Sequence, residues 1–244
     1  MKIRILALLL ALLAMLALVA CKKEPTGDEP DSDPSGKDPG FVNEAELLYT
    51  SGEIGGTGIT WELYKDGTLY LKGEGAMDGS DENGQAQQPW YEYKGSQYDV
   101  TIKKLVVEDG VTALAPLAFK NCTNLQRVEL GRGITDIPRE CFANSPALRN
   151  VIGKSVVTVQ DVAFQNCTAL AWLTLSASLE QVWDGAFHNA GTQATSFTLK
   201  LAGTQEEWNT AKAKMDADEA DDFAIWTGND LIRNALDTVT FVEK

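Results

Sequence analysis

Histidine is almost missing from this 244-residue sequence: His188 is the single copy, which excludes histidine-rich metal sites. Cysteine is scarce too. Its four copies form no C-x-x-C pair, so the usual zinc and redox motifs are absent. Basic residues are outnumbered, 21 against 35 acids, for a formal charge of −14. The first twenty residues hold Lys2 and Arg4 and no acid, so without them the balance is 19 against 35, or −16. No basic stripe stands out along the chain, and a chain this acidic is not expected to track phosphates, so nucleic acid is excluded as a partner. No Ser triad, Gly-rich phosphate loop or H-E-x-x-H is present. No cofactor or metal is expected.

Long apolar runs are confined to the start. Basic Met1–Arg4 leads into the unbroken apolar run Ile5–Ala17, then Leu18-Val19-Ala20-Cys21. The run Ile5–Ala20 is 16 residues, short of the ~20 a helix needs to cross a bilayer. It reads as a secretory signal. Its ending resembles the bacterial lipobox, in which the cysteine receives lipid and becomes the new N-terminus; an ordinary signal peptide with a chance cysteine is the alternative. The lipobox implies a lipid anchor at Cys21 rather than a spanning helix.

Lys22–Gly40 holds four of the eight prolines, six acids and almost no apolar surface. Such a segment cannot offset its ordering entropy and is expected to be a disordered tether. Its acids resemble, in part, the surface-export signal of Bacteroidota lipoproteins, although Lys22 and Lys23 come first.

Two alternating runs follow, Ile59–Tyr64 and Thr68–Lys72, joined through Asp66-Gly67. That is a strong hairpin signal. Gly73–Gly84 reads as a loop. Counted from Asp78, it has Asn83 at the sixth position and Pro89 at the twelfth, against a calcium loop's Gly and Glu. A solvated loop is the simpler reading. The aromatic cluster Pro89–Tyr93 fits packing over a sheet end, with sugar stacking as the alternative.

From Ile102 the chain repeats. Phe119, Phe142, Phe164 and Phe187 are 23, 22 and 23 residues apart. Aliphatic residues stand eight before each (Val111, Ile134, Val156, Leu179) and five before each (Leu114, Ile137, Val159, Val182). Asparagine stands two after each (Asn121, Asn144, Asn166, Asn189), and a small residue three after (Cys122, Ser145, Cys167, Ala190). A period this short cannot close its own core, so coils must stack, with strands ~4.8 Å apart. The phenylalanines form one buried ladder. The asparagine amides are expected to hold turn backbone. Strands are predicted at Lys104–Val107, Arg127–Leu130, Asn150–Ile152, Trp172–Leu175 and Phe197–Leu201.

The pattern I/V-T-x-I-x-x-x-A-F-x-N-C-T-x-L-x-x-V-x-L resembles the BspA-type leucine-rich repeat of bacterial surface lipoproteins. Val111–Leu130 follows it almost column by column. The stretch from Asp66-Gly67-Thr68-Leu69 through Pro89-Trp90 to Ile102 resembles the β-rich module that often opens such proteins, and Gly203–Trp208 resembles their closing cap. Cys141 in place of Ala, Ser145 and Ala190 in place of Cys, and Gln193 in place of Leu depart from the pattern. The resemblance implies a mainly β protein with short helical elements: an N-terminal β-hairpin module, a leucine-rich-repeat solenoid of about four coils and a C-terminal α/β cap. The segments are then 1–20 signal peptide, 21–40 lipid-anchored tether, 41–100 β module, 101–201 repeats and 202–244 cap. In the cap, Thr204–Met215 reads as a helix opened by the capping box Thr204/Glu207, and Thr238–Val242 as a closing strand.

Chemistry is hard to place. The best nucleophile–base pairs are Cys141 or Cys167 with His188. Cys141 stands two coils from His188, ~10 Å along the stack, against the ~3 Å such a pair needs. Cys167 belongs to a small, buried column, whereas the His188 column (Lys120, Ala143, Gln165) reads as exposed. No catalytic residue is expected. On the strands, Lys104 and Val106, Arg127 and Glu129, Asn150 and Ile152, Trp172 and Thr174, and Thr198 and Lys200 face outward by alternation. Trp172, Ile152 and Val106 are apolar where water is expected, and with Arg127 they make the candidate binding face. The expected function is a lipid-anchored outer-membrane or cell-surface protein that binds or adheres to a protein or glycan. The alternative is a structural envelope component with no specific ligand.

Overall fold

A computed structural model describes residues 52–77, 102–218 and 229–244. The lipobox with Cys21, the tether, the acidic loop from Asp78 and the aromatic cluster with Trp90 lie outside those residues. Among the described residues no helix is long and apolar enough to cross a membrane.

The hairpin forms where Asp66-Gly67 placed it. After β1 (Gly52–Glu53), strands β2 (Ile59–Leu63) and β3 (Thr68–Gly73) pair antiparallel. Gly67 supplies the turn's positive φ of 89°. The Asp66 carboxylate accepts from the Thr68 backbone N–H at 2.8 Å and from its hydroxyl at 2.9 Å. The expected loop from Gly73 begins instead with a short strand, β4 (Gly75–Ala76), which pairs with β6 (Val111–Ala113).

The repeat strands are β5 (Lys104–Val107), β7 (Arg127–Glu129), β9 (Asn150–Ile152), β11 (Trp172–Ser176) and β13 (Thr198–Ala202). With β14 (Thr240–Val242) they complete a nine-stranded sheet ordered β1-β2-β3-β5-β7-β9-β11-β13-β14. The hairpin therefore adds to the repeat's own sheet: β3 pairs in parallel with β5, and Leu69 and Leu105 are buried side by side. Register is set by one buried row, Leu105–Val128–Val151–Leu173–Leu199. A slip of one residue would turn that row to the solvent. A second sheet of β8 (Asp136–Ile137), β10 (Thr158–Val159) and β12 (Gln181–Val182) carries Ile137, Val159 and Val182, the aliphatics five before the last three phenylalanines.

The four phenylalanines lie between these sheets as a stacked, buried column. Their ring centroids are 5.6, 5.4 and 5.1 Å apart and their planes within 15°. The backbone around them also bonds coil to coil. The N–H of Phe119 donates to Cys141 O at 2.9 Å, that of Phe142 to Ala163 O at 2.9 Å and that of Phe164 to Ala186 O at 2.7 Å.

The asparagines form a ladder of a different kind from the one expected. Each amide donates to the side-chain oxygen of the previous coil's asparagine: Asn144 to Asn121 at 3.1 Å, Asn166 to Asn144 at 2.7 Å and Asn189 to Asn166 at 2.8 Å. All four have positive φ, between 57° and 65°. Asparagine tolerates that left-handed conformation better than most residues. Identical side chains at strand spacing reach each other before they reach backbone.

The capping box forms as expected. The Glu207 carboxylate accepts from Thr204 N–H at 2.8 Å, and Thr204 Oγ1 accepts from Glu207 N–H at 3.1 Å. Helix α1 (Gln205–Asp218) runs three residues past Met215, because no glycine or proline stops it there. After α2 (Asp230–Ala235) a 3-10 turn occupies Leu236–Thr238, so the closing strand starts at Thr240 rather than Thr238.

Asn229 closes the phenylalanine column. Among the described residues no further phenylalanine coil follows Phe187. Its N–H donates instead to Asn229 Oδ1 at 3.0 Å, while Asn229 Nδ2 donates to Trp183 O at 2.9 Å. Asn229 is fully buried, so one side-chain amide stands in for the missing coil's backbone.

Phe142→Ala is expected to cost about 3–5 kcal/mol, because a mid-column ring and its contacts to both neighbours are lost. A denaturant melt showing less than about 1 kcal/mol would remove Phe142 from the core. Asn229→Ala is expected to cost about 1–3 kcal/mol by leaving the Phe187 N–H buried and unpaired. Hydrogen exchange checks the assignment: the Phe187 amide should lose protection in this variant while the Phe142 amide keeps its own.

Candidate functional site

The outward face of the nine-stranded sheet is built by register. One row runs Thr68–Lys104–Arg127–Asn150–Trp172–Thr198. The next runs Tyr70–Val106–Glu129–Ile152–Thr174–Lys200–Thr240. Residues 22 or 23 apart in sequence thereby become neighbours at ~4.8 Å.

Trp172 stands where alternation put it, at 48% exposure, between the shorter side chains Asn150 and Thr198. Val106 and Ile152 are half-buried. Thr174 departs from expectation: it is buried, flanked in its row by the longer Ile152 and Lys200. The apolar part of the face is therefore smaller than the sequence implies and centres on one ring.

Arg127 and Lys104 share a single acid. Glu129 accepts from Arg127 Nε at 2.6 Å and lies 2.9 Å from Lys104 Nζ. Burial pushes the Glu129 carboxyl up, but the hydrogen bonds and charges of Lys104 and Arg127 outweigh it, leaving the group below the usual carboxylate range. At the hairpin end, Glu62 bonds Lys72 at 2.8 Å and accepts from the Tyr64 hydroxyl at 2.6 Å. The Lys72 ammonium also sits 5.3 Å from the Tyr70 ring centroid.

Two aromatics were not picked out from the sequence. Tyr70 belongs to the Val106 row, whereas its alternating run marks it only as part of a hairpin. Trp183 is 43% exposed beyond β12, its indole N–H donating to Gln181 at 3.1 Å. A signal existed for it: four before each phenylalanine stand Ala115, Pro138, Gln160 and Trp183, and the last is out of pattern.

The cysteine–histidine pairs do not assemble. Cys141 and Cys167 are buried, and His188 is exposed. Burial pushes the Cys167 thiol up to about 12 and holds Cys141 well above its usual range. Cys167 Sγ donates to Phe142 O at 3.2 Å, as Ser145 Oγ does to Phe119 O. These side chains tie coil to coil. Three members of the His188 column differ from the exposed surface expected, Gln165 being half-buried. Ala143 is buried, being shorter than the Lys120 and Gln165 that flank it, and Lys120 forms an ion pair with Glu140. Among the described residues no three of His, Cys, Asp and Glu are grouped to hold a metal.

The Glu129 contribution to stability has a defined sign. Its folded pKa lies below the unfolded value, so the contribution is present above the unfolded value, about 4.3, and is lost as pH falls through the folded one. Glu129→Gln is expected to lose less stability than the parent between roughly pH 5 and pH 2. Denaturant melts across that range check it, and equal losses would show that the shared acid does not matter.

No curated protein matches the chain. Three solved structures are similar to it. A leucine-rich repeat protein from Eubacterium ventriosum is 17% identical over 65% of this chain and 45% of its own, with a TM-score of 0.46. A leucine rich cell surface protein from Faecalibacterium prausnitzii is 20% identical over 62% and 40%, at 0.40. A T. pallidum leucine rich repeat protein is 15% identical over 77% and 97%, at 0.31. The matched part of the chain thus spans less than half the length of the first two. Residues 94–206 match the BspA type leucine rich repeat region in six copies. With the stacked phenylalanines and the parallel strands, that match assigns residues 94–206 to the BspA-type leucine-rich repeat family.

Proposed function

We propose that this protein is a lipid-anchored bacterial surface protein whose outer sheet face binds a protein or glycan. It is a binding scaffold rather than an enzyme. The observation that carries the reading is Trp172, a large ring half-exposed in a row otherwise filled by polar side chains. Burying such a ring against a partner is worth about 2 kcal/mol or more in many interfaces. Ile152, Arg127 and Val106, one, two and three strands away on the same side, make the rest of the face. Support for the anchor comes from the apolar run that ends at Cys21, followed by a proline-rich, acidic stretch long enough to hold a folded part off a membrane.

Both halves of the proposal have a test. Cys21→Ser should release the protein from membranes, and a variant that still fractionates with membranes in high salt would remove the anchor. For the face, the full-length protein is probed on an array of glycans and extracellular-matrix proteins. Trp172→Ala is expected to weaken the ligands found by roughly 30-fold, the equivalent of about 2 kcal/mol. Ligands bound equally well by parent and variant would move the site elsewhere. An array with no ligand would favour a structural envelope role.

A further inference from the structure

Stacking assembles a basic edge on this acidic chain. Lys103, Gln126 and Arg149 each stand one residue before an outward strand residue. They form their own column: the Gln126 N–H donates to Lys103 O at 2.7 Å, and the Arg149 N–H donates to Gln126 O at 2.9 Å. Beside it runs the row Lys104–Arg127–Asn150–Trp172. The two columns together bring four cations to the start of the strands, and the nearest row holds Glu129 as its acid. Lys104 and Arg127 share that one carboxylate. Lys103 and Arg149 are exposed, and the ion pairs among the described residues leave both out. The chain as a whole carries −14. A local surplus of positive charge against that background draws an anion to one place.

We infer that this edge, together with Trp172, binds an anionic polysaccharide, one bearing carboxylate or sulfate groups. The inference rests on the binding face proposed above and names the chemistry of its ligand. Two features favour a sugar chain over an acidic peptide, its spacing and its ring, and a third, the arginine forks, fits the anionic groups of either. The row advances one residue per strand, ~4.8 Å, close to the length of one pyranose unit in an extended glycan. Arginine forks at Arg127 and Arg149 match carboxylate and sulfate oxygens two at a time. Trp172 is half-exposed with Asn150 and Thr198 beside it in the row, and an exposed indole next to hydrogen-bonding side chains suits the C–H face and hydroxyls of a pyranose. A protein partner wants instead a cluster of apolar anchors, and here Val106 and Ile152 are half-buried and Thr174 is covered.

The full-length chain is applied to immobilised heparin, polygalacturonate, poly-glutamate and neutral dextran at about 0.15 M salt. Retention on heparin or polygalacturonate, release by added salt and no retention on dextran are expected. The double variant Lys103→Ala/Arg149→Ala should bind the anionic glycans roughly tenfold more weakly. Arg149→Lys, which keeps the charge, should recover part of the loss. Trp172→Ala should weaken the glycans and leave poly-glutamate unchanged. Unaltered melting midpoints show that the variants fold. No retention on either anionic glycan overturns the inference. So does poly-glutamate binding as tight as the glycans with no effect of Trp172→Ala. If a neutral glycan or a protein instead binds through Trp172, this inference fails and the proposed binding face stands. If nothing binds at all, both fall.

Discussion

Each of the first three coils of the repeat region turns backbone N–H groups toward the next coil, whose carbonyls accept from them. The donors include Phe119, Phe142 and Phe164, whose rings stack in the same direction as their hydrogen bonds run. A coil alone would expose its ring and leave its amides unpaired, so stability belongs to neighbouring pairs rather than to coils. The small column behind the rings serves the same end, with Ser145 and Cys167 donating to the phenylalanine carbonyl of the coil before. The ends are where such a stack needs help. The hairpin supplies it on one side by pairing β3 with β5, and Asn229 with β14 supplies it on the other.

In-register stacking also writes the outer surface. Residues far apart in sequence become neighbours, so single charges add into a patch without any run of like charge along the chain. Lys103 and Lys104 are one adjacent pair and Arg127 and Arg149 are single residues in sequence order, yet the four share one edge. The same geometry explains why Glu129 serves two cations: it lies next to Arg127 on its own strand side and across one strand from Lys104. It also explains what became of the outward positions. At two inner strand positions the relative length of the row neighbours accounts for the exposure. Trp172 stands between Asn150 and Thr198 and is open, while Thr174 stands between Ile152 and Lys200 and is covered.

The phenylalanine column and the five repeat strands were legible because they recur at a fixed spacing, and burial demands that recurrence. The capping box of Thr204 and Glu207 was legible because both partners lie within one helical turn. Asn229 left no such trace. It acts once, 42 residues from the Phe187 amide that it serves, and nothing in its surroundings repeats. Trp183 did leave a trace, as an aromatic out of pattern in a column of Ala115, Pro138 and Gln160, and it was readable by the rule that found Trp172.

The sequence by itself determined the period, the inward-facing residues and the order of hairpin, repeats and cap, because each follows from hydrophobic spacing and local turn chemistry. The tertiary structure decided the rest: that asparagine amides bond one another, that one buried amide ends the column, that Thr174 is covered and that scattered cations form an edge. These depend on which side chains become neighbours at ~4.8 Å and on their relative lengths, and that adjacency exists only once the coils have stacked.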